Sequence, residues 1–175
     1  EERESRTWYS TQVPRGEPDG SLRETEWAYL AGIIDGEGSI GIERGTVRFN
    51  RRRTPRYQAT LCVVNSSYEL MNWLLMFGGK LTKRSREKAH HKQTWRWQVS
   101  DLNAYPILNR VRKYLVVKPE QADVAIEFIK DRDNVLVNHF VNPLEVKRRE
   151  RLYQRMRKLN QRGVAPAETK REGTE

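Results

Sequence analysis

The chain has 175 residues, a formal net charge of +10 and a pI near 9.9. Its single cysteine excludes a disulfide framework and a cysteine-rich zinc site. No apolar run approaches transmembrane length, and the chain length suits one domain with its own hydrophobic core. The composition therefore predicts a soluble, intracellular protein that has no membrane partner.

Positive charge is concentrated in three segments. Residues 44–56, 80–96 and 147–162 carry 21 of the 33 Lys and Arg residues but only 2 of the 23 acids. Segregation of this kind indicates a polyanion as the partner. The alternative is a scattered, solvated surface with a basic bias, but solubility does not require such segregation.

The first elements follow from composition and capping signals. Residues 1–20 are polar and rich in proline and glycine, which predicts a flexible arm. "SLRE" (Ser21–Glu24) matches a capping box and predicts a helix that runs through "WAYLAGIID" and stops at the glycines that follow. The folded domain is expected over residues 21–162, with a disordered tail over residues 163–175.

Alternation of apolar and polar residues predicts four strands, which begin near Ser39, Arg56, Lys80 and Gln93. In each strand, one set of alternate side chains is apolar and the other set is polar or basic. The basic stretch "RGTVRFNRRRTPR" between the first two strands is interpreted as a long connection that is strand-like near Val47 and Phe49.

Four further helices are predicted. A capping box at Ser66–Glu69 opens one between the second and third strands, and Asp101 is expected to cap another after the fourth strand. Pro119 suits the first turn of the next helix, and "NPLE" (Asn142–Glu145) opens the last. The order predicts an α+β fold with an αββαββα core, a four-stranded antiparallel sheet packed on helices by its apolar side, and an extra C-terminal helix.

The other face of this sheet is expected to remain open. Its outward positions on three strands carry no acid, whereas an ordinary solvated sheet face, the alternative reading, would mix Glu with Lys. Arg, Lys and Gln make paired contacts with guanine and adenine edges in the major groove. The candidate DNA contacts are Glu43, Arg56, Gln58, Thr60, Lys80, Thr82, Arg84, Thr94, Arg96 and Gln98 on the sheet, and Lys147, Arg148 and Arg151 on the last helix.

The stretch "LAGIIDGEGSI" at residues 30–40 raises an electrostatic question. A helix C-terminus carries partial negative charge, so Asp35 and Glu37 there are unfavourable unless something offsets the repulsion. The nine residues Leu30–Gly38 closely resemble the signature of the LAGLIDADG homing endonucleases, and the element order over about residues 22–131 resembles the core of that family. An ordinary helix with a glycine stop would not explain the two acids.

The resemblance implies a site-specific double-strand DNA endonuclease that hydrolyses one phosphodiester in each strand across the minor groove. Glu37 is implied as the catalytic metal ligand, with the backbone carbonyl of Gly36 close by and Mg²⁺ or Mn²⁺ as the cofactor; Ca²⁺ can occupy such a site without cleavage. Asn65 and Lys118 are implied as catalytic residues near the attacking water and the metal, although a helix-entry residue and a solvated lysine are the alternatives. Asp35 is expected to have a structural role.

The motif helix has a second implied role. Tyr29, Gly32, Ile33 and Gly36 share one face, where the glycines allow a second helix to approach closely. Relatives with one motif copy act as homodimers, so the resemblance implies a homodimer on a pseudo-palindromic double-stranded DNA target, intron-encoded and located in the cytoplasm or an organelle of the host. The alternatives are an RNA maturase or non-cleaving DNA-binding regulator derived from the same family, and a nucleic-acid binder without a specific site.

Overall fold

The computed structural model describes residues 9–10, 22–49, 52–84, 92–130, 136–137 and 140–161. The predicted arm lies outside these residues except for Tyr9–Ser10, and the predicted tail lies outside them entirely. In chain order the elements are β1 (Tyr9–Ser10), α1 (Glu24–Glu37), β2 (Gly38–Phe49), β3 (Arg52–Asn65), α2 (Tyr68–Trp73), β4 (Lys80–Lys83), β5 (Trp95–Ser100), α3 (Ala104–Val111), α4 (Pro119–Lys130), β6 (Leu136–Val137), β7 (Phe140–Val141) and α5 (Pro143–Leu159).

The structure confirms the predicted α+β fold and its αββαββα core. The four predicted strands form one antiparallel sheet in the order β4-β5-β3-β2, and β1 adds a fifth strand at the β4 edge. Short 3₁₀ turns follow α2, β5 and α3. In the described parts of the chain, each helix is too short or too polar to span a bilayer.

One face of the sheet forms the core with the helices. The buried strand residues alternate with exposed or half-buried ones, as the period-two pattern predicted. Helix α1 contributes one side to this core and α3, α4 and α5 close the rest. The buried positions on the strands are Ile40, Ile42, Tyr57, Ala59, Leu61, Val63, Leu81, Trp97 and Val99.

The basic stretch interpreted as a connection belongs to the outer part of a long hairpin: the connection was wrong, and the strand character expected near Val47 and Phe49 is confirmed. β2 and β3 pair without interruption from Gly38 opposite Val63 to Phe49 opposite Arg52. β5 pairs with β3 only over Thr60–Asn65. Residues 43–49 and 52–58 therefore form a two-stranded extension, which we call the basic ribbon. Tyr57 is buried against α5, but the other ribbon residues whose burial is described are exposed or half-buried, so they need not alternate in polarity.

Three capping predictions were displaced. α1 begins at Glu24, where Glu26 accepts a hydrogen bond from the Arg23 amide at 2.7 Å, and Ser21 lies outside the described residues. α2 is capped by Ser67, whose hydroxyl accepts from the Leu70 amide at 3.3 Å, one residue later than expected. The third capping residue, Asp101, does not cap α3; its carboxylate accepts a hydrogen bond from β3.

Candidate metal centre and nucleic-acid interface

Helix α1 passes directly into β2 at Gly38. The amide of Gly38 donates to the carbonyls of Ile33 and Ile34, which closes the last helical turn. A Cβ atom at Gly38 would lie 2.7 Å from the Ile34 Cα, so a larger residue would displace the strand from the helix end. The glycine thus fixes the exposed Glu37 carboxylate between the helix and the sheet.

Asp35 is held by a loop on the other side of the helix end. One carboxylate oxygen accepts from the amides of Val116 and Val117 at 2.7 and 3.2 Å, and the other accepts from the Lys118 amide at 3.0 Å. Three backbone donors therefore offset the unfavourable position of this acid at the helix C-terminus. The arrangement agrees with the structural role expected for Asp35.

Lys118 supplies a cation at the same helix end. Its ammonium donates to the carbonyl of Ile34 at 2.9 Å and also to the carbonyl of Asp35. Burial lowers the pKa of Lys118, and the nearby Asp35 carboxylate opposes that shift. A half-buried ammonium on the final carbonyls is the favourable partner for a helix dipole, so Lys118 answers part of the electrostatic question raised by the sequence.

Asn65 connects Glu37 to the end of β3. Its side-chain amide donates to the Glu37 carboxylate, and its side-chain carbonyl accepts from the Ser67 amide at 2.7 Å. The second bond is the helix-entry contact that was the alternative for this residue, and the first brings it to the candidate site. One side chain makes both contacts.

The donors at this helix end suit a hard divalent cation. Mg²⁺ binds oxygen ligands and commonly takes one or two carboxylates, with waters and substrate phosphates completing its shell. Glu37 offers an exposed carboxylate, and Gly36 belongs to the last turn, where a helix leaves its carbonyls without intrahelical partners. Within the described ranges no three His, Cys, Asp or Glu residues cluster around a possible metal position.

The sheet gathers the predicted DNA contacts on its open face. Arg96 lies opposite Thr82 on one side and Val64 on the other, and Gln98 lies opposite Lys80 and Cys62. Beyond the strands, the amide of Arg84 donates to the carbonyl of Thr94 at 2.9 Å. The remaining members are Glu43, Arg56, Gln58 and Thr60, which alternate with the buried positions on β2 and β3.

The side chains on the open face differ in how exposed they are and in whether they already have a polar partner. Thr60 is 7 % exposed, so its hydroxyl is largely covered. The guanidinium of Arg96 reaches the Glu43 carboxylate at 3.5 Å, while its Nε atom is buried without a hydrogen-bond partner among the described residues. The Gln58 amide donates to Asp101 at 3.4 Å. Arg96 and Gln58 are therefore partly oriented by acids before any DNA contact.

Helix α5 lies on the helical side of the sheet rather than beside the open face. The Asn160 side chain, just after α5, donates to the Ile40 carbonyl at 2.9 Å, and the Tyr153 ring lies 6.0 Å from that of Tyr57. The Nε atom of Arg148 forms an ion pair with the Glu145 carboxylate at 2.9 Å. The structure therefore separates the predicted contacts Lys147, Arg148 and Arg151 from those of the sheet.

The predicted dimer face of α1 is largely uncovered within the chain. Tyr29 is 58 % exposed, and a Cβ atom at Gly32 or Gly36 would meet nothing within 4 Å. Ile33 is half-buried. The opposite side of the helix faces the core, through Trp27, Leu30, Ala31 and Ile34.

Comparison with known proteins supports the fold. No family model and no curated protein matches the chain. Solved structures do match: the homing endonuclease I-CvuI in complex with DNA has a TM-score of 0.65 and 18 % identity, covering 82 % of this chain and 87 % of that one. The archaeal intron-encoded homing endonuclease I-Vdi141I, complexed with DNA, has a TM-score of 0.61 and 18 % identity, covering 82 % and 89 %.

The chain thus has the fold of the LAGLIDADG homing endonucleases, which confirms at the level of fold the resemblance found in the motif. It spans 45 % of the length of a further match, the LAGLIDADG homing endonuclease I-GzeII in complex with DNA, with a TM-score of 0.58 and 16 % identity over 78 % of this chain.

Proposed function

We propose that the chain is a site-specific double-strand DNA endonuclease that hydrolyses one phosphodiester in each strand with a divalent metal. The observation that carries this proposal is the exposed Glu37 carboxylate, held by Asn65 at the junction of α1 with a sheet whose open face is rich in Arg, Lys and Gln. A protein that only binds DNA has no need of a carboxylate at this position, because an acid repels phosphates.

Glu37 and the Gly36 carbonyl would hold Mg²⁺ or Mn²⁺, and Ca²⁺ would occupy the position without supporting cleavage. Such a cation polarises a phosphoryl oxygen and lowers the pKa of water, which gives a nucleophile near neutral pH. Asn65 keeps the Glu37 carboxylate oriented. Lys118 places positive charge where negative charge develops on the phosphate. The I-CvuI structures were determined with Mg in one case and Ca in another, which supports a divalent cation in proteins of this fold.

Cleavage of both strands requires two such sites, and each chain carries one. The uncovered stripe formed by Tyr29, Gly32 and Gly36 supports a homodimer in which two α1 helices pack together. Glycines on that stripe permit close approach of the backbones. Because a two-fold dimer presents the same surface twice, the target would be pseudo-palindromic, and two Glu37 carboxylates would serve opposite strands across the minor groove.

DNA would lie along the open face of the sheet and along the basic ribbon. A two-stranded ribbon fits the major groove, where Arg and Gln side chains can distinguish base pairs. Lys147, Arg148 and Arg151 are left out of this surface because α5 packs on the other side of the sheet. We place the reaction inside the cell, in the cytoplasm or the organelle that holds the target DNA.

A non-cleaving DNA-binding regulator and an RNA maturase are the other candidates. A plasmid library carrying randomised inserts, incubated with Mg²⁺, separates them from the endonuclease. We expect the wild type to linearise a defined subset of plasmids, and we expect Glu37→Gln to linearise none while still retaining the same subset in a binding selection. If the wild type retained a subset of plasmids in the binding selection without cutting them, the regulator would be favoured. If splicing of an RNA in a maturation assay depended on the protein, the maturase would be favoured.

A further inference from the structure

The basic ribbon leaves the body of the sheet without a third strand beside it. β5 pairs with β3 no farther than Thr60, and β2 and β3 continue together for about 25 Å beyond that point, at about 3.4 Å per residue. An isolated two-stranded hairpin is marginal in water. The direction of the ribbon relative to the sheet must therefore be set by contacts at its base.

Helix α5 supplies such a contact from beneath. The Tyr57 hydroxyl donates to the Glu150 carboxylate, and Arg44, which lies opposite Tyr57 in the strand register, approaches the same carboxylate at 3.6 Å. Tyr57 is 6 % exposed, and its ring also packs on Tyr153. Glu150 thus holds one residue from each strand of the ribbon at the point where the ribbon begins.

The ionisation of this pair agrees with the geometry. Burial and the Glu150 hydrogen bond raise the pKa of Tyr57 to about 12. The hydrogen bond from Tyr57 in turn lowers the pKa of Glu150. At neutral pH the phenol therefore keeps its proton and the carboxylate keeps its charge, so the contact is a charge-assisted hydrogen bond.

Asp101 holds the ribbon base from the side. Its carboxylate accepts from the Ala59 amide at 3.0 Å and from the Gln58 side chain at 3.4 Å, at the point where β5 has ended. Asp101 has a φ of 49°, a left-handed conformation that aspartate adopts more readily than most residues other than glycine. The last β3 amide beside the sheet is therefore bonded to a side chain instead of a strand.

We propose that Tyr57 and Glu150 are positioning residues that set the direction of the basic ribbon and, through it, the preference for the outer base pairs of the DNA target. This inference rests on the proposed function. Arg56 and Gln58 flank Tyr57 in sequence and project from the opposite face of β3. A rotation at the ribbon base would displace both from the base edges that they would contact, in the half of β3 farther from Asn65.

The hydrogen bond between Tyr57 and Glu150, which we call the brace, can be tested without DNA. Tyr57→Phe and Glu150→Gln remove the charge-assisted hydrogen bond with little change in volume. Tyr114→Phe is a matched control, because the Tyr114 hydroxyl also donates to a glutamate, Glu24, elsewhere on the molecule. We expect amide hydrogen exchange over residues 44–57 to accelerate about tenfold in the first two variants and not in the control. Unchanged exchange in the ribbon overturns the inference, whether or not the chain binds DNA.

The second arm measures cleavage of every single base-pair variant of a target that the wild type cuts. We expect Tyr57→Phe and Glu150→Gln to weaken discrimination between base pairs about tenfold at the outer positions of the target. Discrimination at its inner positions and the cleavage rate on the preferred target should stay unchanged. Those inner positions would be contacted from β5 by Gln98, which lies opposite Lys80 of β4 and Cys62 in the part of β3 outside the ribbon.

A merely structural role would lower the active fraction without changing base preference, and a uniform loss at all positions would therefore overturn the inference. If the wild type selects and cuts no DNA, the proposed function fails instead. The exchange measurement then still decides whether Tyr57 and Glu150 position the ribbon.

Discussion

Asp35 and Lys118 hold each other through the backbone at the C-terminus of α1. The Asp35 carboxylate accepts the Lys118 amide at 3.0 Å, and the Lys118 ammonium donates back to the Asp35 carbonyl. An acid and a base from residues 83 positions apart thus stabilise the same helix end. The loop over residues 116–118 is fixed against the helix by the same contacts.

We expect Asp35→Asn to lower the free energy of unfolding by about 1–3 kcal/mol, because one carboxylate oxygen becomes a donor that faces an amide donor. Cleavage should fall as well, since Lys118 would be displaced, while DNA affinity stays near that of the wild type. Urea unfolding and single-turnover cleavage measure the two effects. Asp123→Asn is the control: it removes an exposed pair with Arg112 at 2.5 Å, and its cost should stay below about 1 kcal/mol.

Glu37→Gln should abolish strand cleavage in Mg²⁺ and Mn²⁺ and leave specific DNA binding in Ca²⁺ intact. The substitution removes one negative charge from the site that attracts the cation, and the open face of the sheet is unchanged. Glu120→Gln, at an exposed position in the first turn of α4, should cut like the wild type. Robust cutting by Glu37→Gln would disprove the metal assignment.

Gly32→Leu should yield a folded monomer. The position has open space within the chain, so the added side chain obstructs only a second helix. Sedimentation should show loss of the dimer, and double-strand cleavage should disappear while the melting temperature stays close to that of the wild type. Gly38→Ala gives the contrasting result, because its Cβ meets the Ile34 backbone and the fold itself should be destabilised. A Gly32→Leu dimer that still cuts both strands would place the interface elsewhere.

DNA affinity should depend steeply on salt. If about 6–10 phosphates are contacted, affinity should fall by roughly 10³–10⁵ between 50 and 200 mM salt. Arg53→Gln, in the basic ribbon, should flatten the slope of log affinity against log salt concentration by about one. Arg151→Gln, on the exposed side of α5, should leave that slope unchanged. The opposite result would mean that α5, rather than the ribbon, lies along the DNA backbone.

Alkaline pH should destabilise the fold through Tyr57. Its pKa is raised from 10 to about 12, so the folded chain keeps a proton that the unfolded chain has lost between these values. The stabilisation is therefore complete below pH 10 and is lost as the pH rises through 12, by about 2–3 kcal/mol at most. Urea unfolding at pH 9 and pH 11.5 should show a smaller decline for Tyr57→Phe than for the wild type. Equal declines in the free energy of unfolding for the two proteins would contradict the raised pKa of Tyr57.

The sequence was most informative where a periodic pattern reports burial. Alternation identified four strands, and the positions of Tyr57, Ala59, Leu61 and Val63 in the core followed from it. The motif led to Glu37, and the resemblance led to Asn65 and Lys118. The structure places Glu37 at the end of α1, Asn65 at the end of β3 and Lys118 just before α4, and Asn65 and Lys118 both contact the terminus of α1. Their catalytic roles remain predictions.

Contacts between residues distant in sequence could not be predicted. Glu150 lies 93 positions from Tyr57, and Asp101 lies 42 positions from Ala59, so neither belongs to a local motif. The full length of the basic ribbon was not predicted, because most of its described residues other than Tyr57 are exposed and show little alternation in polarity. The basic residues of α5 were predicted to contact DNA from the concentration of positive charge over residues 147–162, and a charge pattern does not show on which side of the sheet a helix lies.

Under the proposed function, the alternation along β3 and β5 has a consequence for how target preference can change. Open-face positions such as Gln58 and Gln98 lie between residues that point into the core, so their side chains could be exchanged with little effect on the packing beneath. Recognition can therefore drift by single substitutions while the scaffold is inherited unchanged. A one-residue insertion would do the reverse: it would exchange the two faces and send arginine and glutamine into the core, so variation on these strands should be confined to replacement of one side chain by another.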